Sequence, residues 1–197
     1  MRVLNPAGNA QGSGVILGES GPFVYLLTAN HVVDQAERVE VQTFSPRSLP
    51  KPEAVYRSVA VLAQAKDEDV AVLRLATADR MPGRVRFCPP DQVPKEAGFA
   101  AWTVGCPFGR PPVCQQEKVV GVKRARRPGA EAVLVWETDR EPATGRSGGP
   151  LLDRQGRLLG VGSGTSDGKG YFTHVEAIQR FLKRHGLHWL AEAPGAG

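Results

Sequence analysis

Short apolar or alternating runs, separated by turns rich in glycine and proline, recur along most of the 197-residue chain. An early pair, Gly14–Leu17 and Phe23–Thr28, flanks the pentapeptide Gly18-Glu19-Ser20-Gly21-Pro22 and predicts a β-hairpin. Further runs of strand length are Arg38–Phe44, Ala54–Gln64, Asp69–Leu75, Phe99–Gly105, Gln116–Lys123, Ala132–Thr138, Arg157–Gly162 and Gly170–Val175. Because these runs are short and closely punctuated, the pattern predicts an all-β fold rather than a helical bundle.

The runs form two clusters of similar size with a proline-rich stretch between them. Residues 79–94 contain Pro82, Pro89, Pro90 and Pro94. Proline cannot donate a hydrogen bond to a β-ladder and fixes its own φ, so this stretch is predicted to be a linker. We therefore expect an N-terminal β unit over residues 1–78, a linker over 79–95 and a C-terminal β unit over 96–175.

A helix is predicted to follow the second cluster, over residues 176–190. Val175, Ile178, Phe181 and Leu182 recur at helical spacing, and Gly186 stands where a helix C-cap is expected.

Composition excludes several classes of function. The net charge is +5, and the densest basic run, residues 123–127, has no interleaved aromatics and precedes Pro128-Gly129. It predicts a solvated hairpin tip, not a nucleic-acid surface. No apolar run approaches the ~20 residues of a membrane span.

No metal or cofactor is expected from the cysteines and histidines. Cys88, Cys106 and Cys114 make an odd number without a Cys-x-x-Cys pair, so we expect buried free thiols, with a Cys106–Cys114 bridge as the alternative. His185 and His188 have no nearby carboxylate cluster beyond a single glutamate and are expected at the surface.

Localisation is weakly constrained by the sequence. Free thiols argue for a reducing compartment. Asn5-Pro6 interrupts the opening of the chain, so no secretory signal is recognised. We expect a cytoplasmic location by default, and a periplasmic or secreted one if the chain is a fragment. The oligomeric state is not indicated.

Three segments each place a reactive residue at the end of an apolar strand. His31 follows the strand ending at Thr28, and Asp69 precedes a nearly continuous apolar strand that would draw its carboxylate inward, where it needs a hydrogen-bond donor. Ser147 is flanked by Gly145 and Gly148. A serine hydroxyl becomes an effective nucleophile when a neighbouring base takes its proton, and flanking glycines let backbone N–H groups approach a substrate.

These segments together resemble the trypsin-like (chymotrypsin-clan) serine proteases. Residues 145–151, Gly-Arg-Ser-Gly-Gly-Pro-Leu, resemble the nucleophile signature of that clan, residues 28–33 its histidine motif and residues 69–73 its aspartate motif. The order His, Asp, Ser is that of chymotrypsin, not subtilisin. Residues 11–17 and 104–109 are similar to segments of the bacterial HtrA/DegP-like branch. The resemblance implies two antiparallel six-stranded Greek-key β-barrels with a C-terminal helix.

The resemblance also implies a serine endopeptidase acting on protein or peptide substrates, with His31, Asp69 and Ser147 as a catalytic triad. The backbone N–H groups of Gly145 and Ser147 would form the oxyanion hole.

The expected substrate pocket contains Thr144, Ser163 and Gly164, with Glu141 at its base. An acid at the base would favour Arg or Lys in the substrate; the alternative is a loop acid that points to water.

One position departs from the digestive enzymes of this clan. Arg146 stands where they carry an aspartate that captures a newly cut amino terminus, and an arginine cannot pair with an ammonium group. We therefore expect no activation by such a cleavage, and residues added before Met1 should leave activity intact.

One rival interpretation stays open, and a second is excluded by the sequence. A protein with this fold could serve as a catalytically silent binding or scaffold protein. Residues 145–149 also satisfy Gly-x-Ser-x-Gly, the nucleophile elbow of α/β-hydrolases. That fold needs a helix directly after the serine, which Pro150 opposes, and fewer than 50 residues remain for its sheet.

Overall fold

A computed structural model describes residues 1–79, 81, 83–126 and 129–192, and its strands form two β-sheets. The seven strands of the first sheet are β1 (Arg2–Asn5), β2 (Ala10–Ser13), β3 (Val15–Ser20), β4 (Phe23–Thr28), β5 (Arg38–Thr43), β6 (Ala54–Ala65) and β7 (Val70–Ala76). Their order across the sheet is β2-β1-β5-β6-β7-β4-β3, and every pairing is antiparallel. The two outermost strands do not pair with each other within the described residues, so this sheet is an open half-barrel.

The second sheet has seven strands: β8 (Arg86–Phe87), β9 (Phe99–Gly105), β10 (Val113–Ala125), β11 (Val133–Thr138), β12 (Pro150–Leu152), β13 (Arg157–Ser166) and β14 (Lys169–His174). Strand β12 pairs with both β9 and β13, which closes β12-β9-β10-β11-β14-β13 into a six-stranded barrel. The predicted all-β fold with two antiparallel units is thus confirmed. The second unit has the six-stranded closure, whereas the first is an open sheet.

The buried apolar side chains form two clusters, one within the first sheet and a larger one that joins residues of both sheets. In β7, the run Val70, Ala71, Val72 and Leu73 is fully buried because both faces of this central strand are covered. In the second sheet, Trp136 is fully buried and its indole N–H donates to the Leu159 carbonyl at 2.9 Å.

Part of the predicted linker is a strand. Residues Arg86–Phe87 pair in parallel with β13, and the Cys88 N–H donates to the Leu158 carbonyl at 3.1 Å. The prolines limit this strand but do not prevent it, because Pro89 and Pro90 follow the pairing residues. The predicted linker residues Arg80 and Pro82 lie outside the described part of the chain.

Helices are few. The one-turn helix α1 (Asn30–Val33) follows β4, and α2 (Val175–Arg184) closes the second sheet, ending before the predicted boundary. Gly186 follows its C-cap residue with φ 69°, a conformation that glycine adopts without strain. A short 3₁₀ turn, His188–Ala191, comes after it. No helix within the described ranges is long and apolar enough to cross a membrane.

The remaining polar residues fall partly as predicted. Cys88 and Cys106 are buried free thiols, whereas Cys114 is exposed, so the expectation of burial was wrong for that residue. In the basic run, Lys123 lies over the Tyr171 ring and pairs with Glu137; Arg127 lies outside the described residues. Among the described residues, no group of three or more His, Cys, Asp or Glu side chains could hold a metal ion.

Candidate active site

The antiparallel pairing of β4 and β7 brings His31 and Asp69 together. Thr28 at the end of β4 lies opposite Ala71 near the start of β7, so residues just beyond these strand ends meet at one edge of the sheet. The His31 Nδ1 atom lies 2.9 Å from Asp69 Oδ2 and 3.1 Å from Oδ1. The His31 side chain is 48% exposed and the Asp69 side chain 3%. The half-exposed imidazole of His31 is therefore hydrogen-bonded to the buried carboxylate of Asp69.

Three hydrogen-bond donors converge on that carboxylate. Besides the imidazole, the His31 backbone N–H donates to Asp69 Oδ1 at 2.9 Å, and Ser163 Oγ donates to Oδ2 at 2.7 Å. Asp69 holds a left-handed backbone conformation, φ 53°, that is uncommon outside glycine, asparagine and aspartate. Together these bonds fix the orientation of the carboxylate. Because Ser163 lies on β13, the second sheet supplies one of the hydrogen-bond donors to Asp69, which belongs to the first sheet.

This role of Ser163 was missed in the sequence, where the residue was assigned to the substrate pocket. Glu68, the residue before Asp69, is also buried, and it pairs with Arg184 of α2. Both contacts join residues about a hundred positions apart, so no local pattern signals them.

Two glycines with positive φ shape the loop that carries Ser147. Gly145 has φ 91° and Gly148 φ 82°. A Cβ atom on Gly148 would lie 2.3 Å from the Ser13 carbonyl oxygen and 2.3 Å from Thr28 Oγ1. The loop therefore packs directly against the first sheet, at a distance that only glycine permits.

Ser147 lies where the two sheets meet. The Ser13 N–H of β2 donates to the Ser147 carbonyl at 2.7 Å, and a Cβ on Gly12 would contact both that carbonyl and the side chain of Val32, the residue after His31. Among the described residues, the hydroxyl of Ser147 makes no hydrogen bond, so its bond to the His31 ring is not formed. Such bonds are often long in proteins without substrate and tighten when it binds.

Two backbone amides of the loop are free to act as donors. Neither the Gly145 N–H nor the Ser147 N–H donates to an acceptor in the described part of the chain. The carbonyl of Thr144 accepts the Phe108 N–H at 2.7 Å. Since the Thr144–Gly145 peptide is trans, that anchored carbonyl directs the Gly145 N–H the opposite way.

A buried arginine lies beneath the same loop. Arg146 is 5% exposed; its Nη2 donates to the Thr103 carbonyl at 3.0 Å and to the Thr103 hydroxyl, and its Nη1 donates to the Val113 carbonyl at 3.3 Å. Glu117 is buried nearby, and its carboxylate lies 3.5 Å from Nε of Arg140. Burial raises the pKa of Glu117, and the charges of Arg140 and Arg146 oppose that rise.

A small cavity opens beside Ser147. Its volume is about 30 Å³, and it is lined by Thr103, Val104, Pro142, Ala143, Arg146, Ser147, Gly149, Gly162, Ser163, Gly164, Thr165 and Phe172. Ser163 and Gly164, which the sequence predicts for the substrate pocket, are among these lining residues. Ser163 also lines a second, shallow cavity next to His31 and Asp69, so the two cavities are adjacent.

Glu141 and Thr144 do not line the cavity, and both are exposed. The residues on either side of Glu141 make other contacts. Arg140 pairs with the buried carboxylate of Glu117, and Pro142 packs close to Gly170. This arrangement leaves Glu141 in solvent, as the alternative interpretation expected. Glu141 therefore does not lie at the base of this cavity, and none of the described residues that line it is acidic.

Comparison with known proteins assigns the chain to a family. The family profile described as a trypsin-like peptidase domain matches residues 12–161. The Do-like serine protease HtrA of Bacillus subtilis is 27% identical over 161 residues, which cover 79% of this chain and 33% of that protein. DegQ, a periplasmic pH-dependent serine endoprotease of Escherichia coli, is 28% identical over 152 residues, covering 76% and 30%. The chain spans about a third of the length of these curated relatives.

Solved structures agree at the level of the fold. A serine endoprotease from Yersinia pestis superposes with a TM-score of 0.73 at 21% identity, covering 93% of this chain and 61% of that one. The active form of the Rv3671c protease from M. tuberculosis gives 0.71 at 22%, covering 94% and 79%. With the profile match spanning most of the sequence, the chain belongs to the trypsin-like peptidase family and is similar to its HtrA/DegP-like members.

Proposed function

We propose that this chain is a serine endopeptidase that hydrolyses peptide bonds with Ser147 as nucleophile, His31 as general base and Asp69 as the residue that orients the base. The observation that carries the proposal is the bond between His31 Nδ1 and the buried Asp69 carboxylate, at the point where the Ser147 loop packs on the first sheet. Family membership supports the same chemistry.

The proposed reaction begins when the hydroxyl oxygen of Ser147 attacks the scissile carbonyl carbon and Nε2 of His31 takes the hydroxyl proton. Asp69 holds Nδ1 protonated, so Nε2 is the basic nitrogen, and it stabilises the imidazolium that forms. The imidazolium then protonates the leaving amine, which leaves an acyl-enzyme. Water, deprotonated by His31, hydrolyses that ester and restores Ser147.

The negative charge on the attacked carbonyl oxygen needs donors that are already in place. We assign these to the N–H groups of Gly145 and Ser147, which have no other acceptor in the described part of the chain. Loss of one such donor costs about 10²–10³ in kcat in related chemistry, because donors fixed in advance need no reorganisation during the reaction.

Substrate preference follows from the cavity beside Ser147. The cavity is small, at about 30 Å³. The described residues that line it include no carboxylate and several small residues. We therefore propose cleavage after small apolar residues, in place of the basic preference that Glu141 suggested. A cleavage profile on a peptide library tests this choice, and dominant cleavage after Arg or Lys would contradict it.

An unfolded protein substrate tests the activity itself. Wild-type protein should cleave β-casein, and Ser147→Ala should lower the rate by about 10⁴ or more, since the triad acts as a unit. A matched variant, Ser166→Ala, changes an exposed serine on β13 and should keep full activity. A folded wild-type protein without cleavage would favour the silent scaffold instead.

The cellular location remains a proposal. Several relatives are named periplasmic endoproteases, and by this likeness we propose that the chain also works in the periplasm. The cytoplasmic default has no support from these relatives. Fractionation of the source cells, followed by detection with an antibody, decides between the two.

A further inference from the structure

We propose that Arg146 is a positioning residue that holds the nucleophile loop in the conformation in which Gly145 and Ser147 present their N–H groups. This proposal rests on the proposed function and adds a residue to it. The nucleophile signature alone assigns this arginine no role, because its bonds to Thr103 and Val113 lie outside the signature.

The contacts of Arg146 fix its side chain in one place. Its guanidinium donates to the main chain of two neighbouring strands, at Thr103 of β9 and Val113 of β10. A guanidinium presents several donors in a rigid plane and can bond two strands at once, which a lysine ammonium does less well. Arg146 therefore ties the residue before the nucleophile to the barrel wall.

The other end of the loop is tied to the same wall. Arg140 donates to the Gln116 carbonyl at 2.5 Å and lies 3.5 Å from the Glu117 carboxylate, both on β10. Glu117 also attracts the charge of Arg146. A buried charge is costly unless it is compensated, and the charge of Glu117 partly offsets the burial of Arg146. Residues 140–146 are thus clamped to β10 at both ends.

What the clamp holds is the peptide geometry of the oxyanion hole. Between the two arginines, the Arg146 N–H donates to the Ala143 carbonyl at 3.1 Å, and Phe108 anchors the Thr144 carbonyl. If Arg146 is released, the Thr144–Gly145 peptide can rotate, and the Gly145 N–H then leaves the direction in which a substrate oxygen would sit. The expected loss is in the chemical step, not in substrate binding.

Arg146→Met tests the clamp because it keeps the apolar stem and removes the donors. We expect kcat to fall by about 10–100-fold, less than the full loss of an oxyanion donor, with KM changed by no more than about threefold. Arg146→Lys should recover part of kcat, since it restores the charge and one donor. The rate of covalent labelling by a fluorophosphonate should fall in parallel, because that reaction also passes through an oxyanion.

Arg157→Met is the matched control. Arg157 makes comparably good bonds to Asp153 and Gln92 in the same barrel but lies outside the active-site cavity. The Arg157→Met variant should have a lower midpoint of thermal unfolding and an unchanged kcat. Thr103→Val, which removes only the side-chain acceptor of Arg146, provides a milder test if Arg146→Met fails to fold, with a fall in kcat of about three- to tenfold.

The outcomes separate the two proposals. Folded wild-type protein without turnover overturns the proposed function, and the role of Arg146 with it. Active wild-type protein whose Arg146→Met variant keeps its kcat, or loses no more than Arg157→Met, overturns the positioning role alone. If Arg146→Met does not fold and Thr103→Val keeps full kcat, the positioning role is equally overturned.

Discussion

The two halves of the molecule hold their reactive groups in different ways. In the first half, His31 and Asp69 follow directly from strand ends and bond to each other at 2.9 Å. In the second half, Ser147 stands on a loop without regular secondary structure, held by close glycine contacts and by Arg146. His31 and Asp69 are thus positioned mainly by the first sheet, whereas Ser147, the proposed nucleophile, is positioned by contacts that reach across the fold.

This difference teaches where each half is vulnerable. A substitution in the first half should change the tautomer of the His31 ring, because the bonds there orient the imidazole. A substitution in the second half should change the conformation of the Ser147 loop, because the contacts there set the path of its backbone. Ser163 belongs to both, since it lies on the second sheet and donates to Asp69 of the first.

The largest effect is expected from Asp69→Asn. The amide would present a donor to His31 and favour the wrong tautomer, so kcat should fall by about 10⁴ with little change in fold. Asp67→Asn is the control. The Glu131 N–H donates to the Asp67 carboxylate, and the amide oxygen of the asparagine can still accept that hydrogen bond. Steady-state kinetics on a peptide ester measures both; equal kcat values for the two variants would contradict the role of Asp69.

The next largest effect is a loss of stability where the Ser147 loop packs against the first sheet. Gly148→Ala would place a Cβ 2.3 Å from Ser13 O in a backbone with φ 82°, and should destabilise the fold by about 3 kcal/mol or more. Gly164→Ala has open space around its Cβ and should cost almost nothing. Urea unfolding of both variants tests the close approach; similar midpoints would show that the loop does not pack there.

A smaller effect is expected where the halves are linked. Ser163→Ala removes one donor to the Asp69 carboxylate, and part of the ~1.5–3 kcal/mol of such a bond should appear as a fall in kcat of about tenfold. Ser163→Thr retains a hydroxyl and should recover part of the activity. The same kinetic assay applies, and an unchanged kcat in Ser163→Ala would mean that Asp69 is oriented from the first half alone.

The smallest expected effect is a pH dependence of stability that arises at the start of α2, from His174. Burial lowers the pKa of His174, its interaction with Glu176 opposes this, and Arg180 adds to it. The neutral ring accepts the Glu176 N–H at 3.2 Å as an N-cap. The unfolded chain therefore binds this proton more readily, so the stabilisation is full above the ordinary pKa of about 6.5 and is lost as the pH falls through the lowered pKa.

His174→Asn keeps an N-cap acceptor without a titrating group. Unfolding midpoints measured from pH 7.5 to 5 should fall less steeply with pH in the variant than in the wild type. Parallel pH profiles would show that His174 does not couple protonation to stability.

Much of this arrangement could be predicted because it is encoded locally. Alternating runs and turn residues specify the strands, and short motifs around residues 31, 69 and 147 indicate the side chains that we propose react. The contacts that fix Arg146 and Ser163 could not be predicted in the same way, because their partners lie 43 and 94 residues away in the chain. The contact between Arg140 and the buried Glu117 could not be predicted either, because Glu117 belongs to no motif.

The most direct measurement is the site at which a fluorophosphonate reacts. Peptide mapping by mass spectrometry should find one adduct, on Ser147, in the wild-type protein and almost none in His31→Ala, because the hydroxyl needs its base. Folded wild-type protein that stays unlabelled, or that labels equally well without His31, would contradict the claim that the two halves together form one catalytic site.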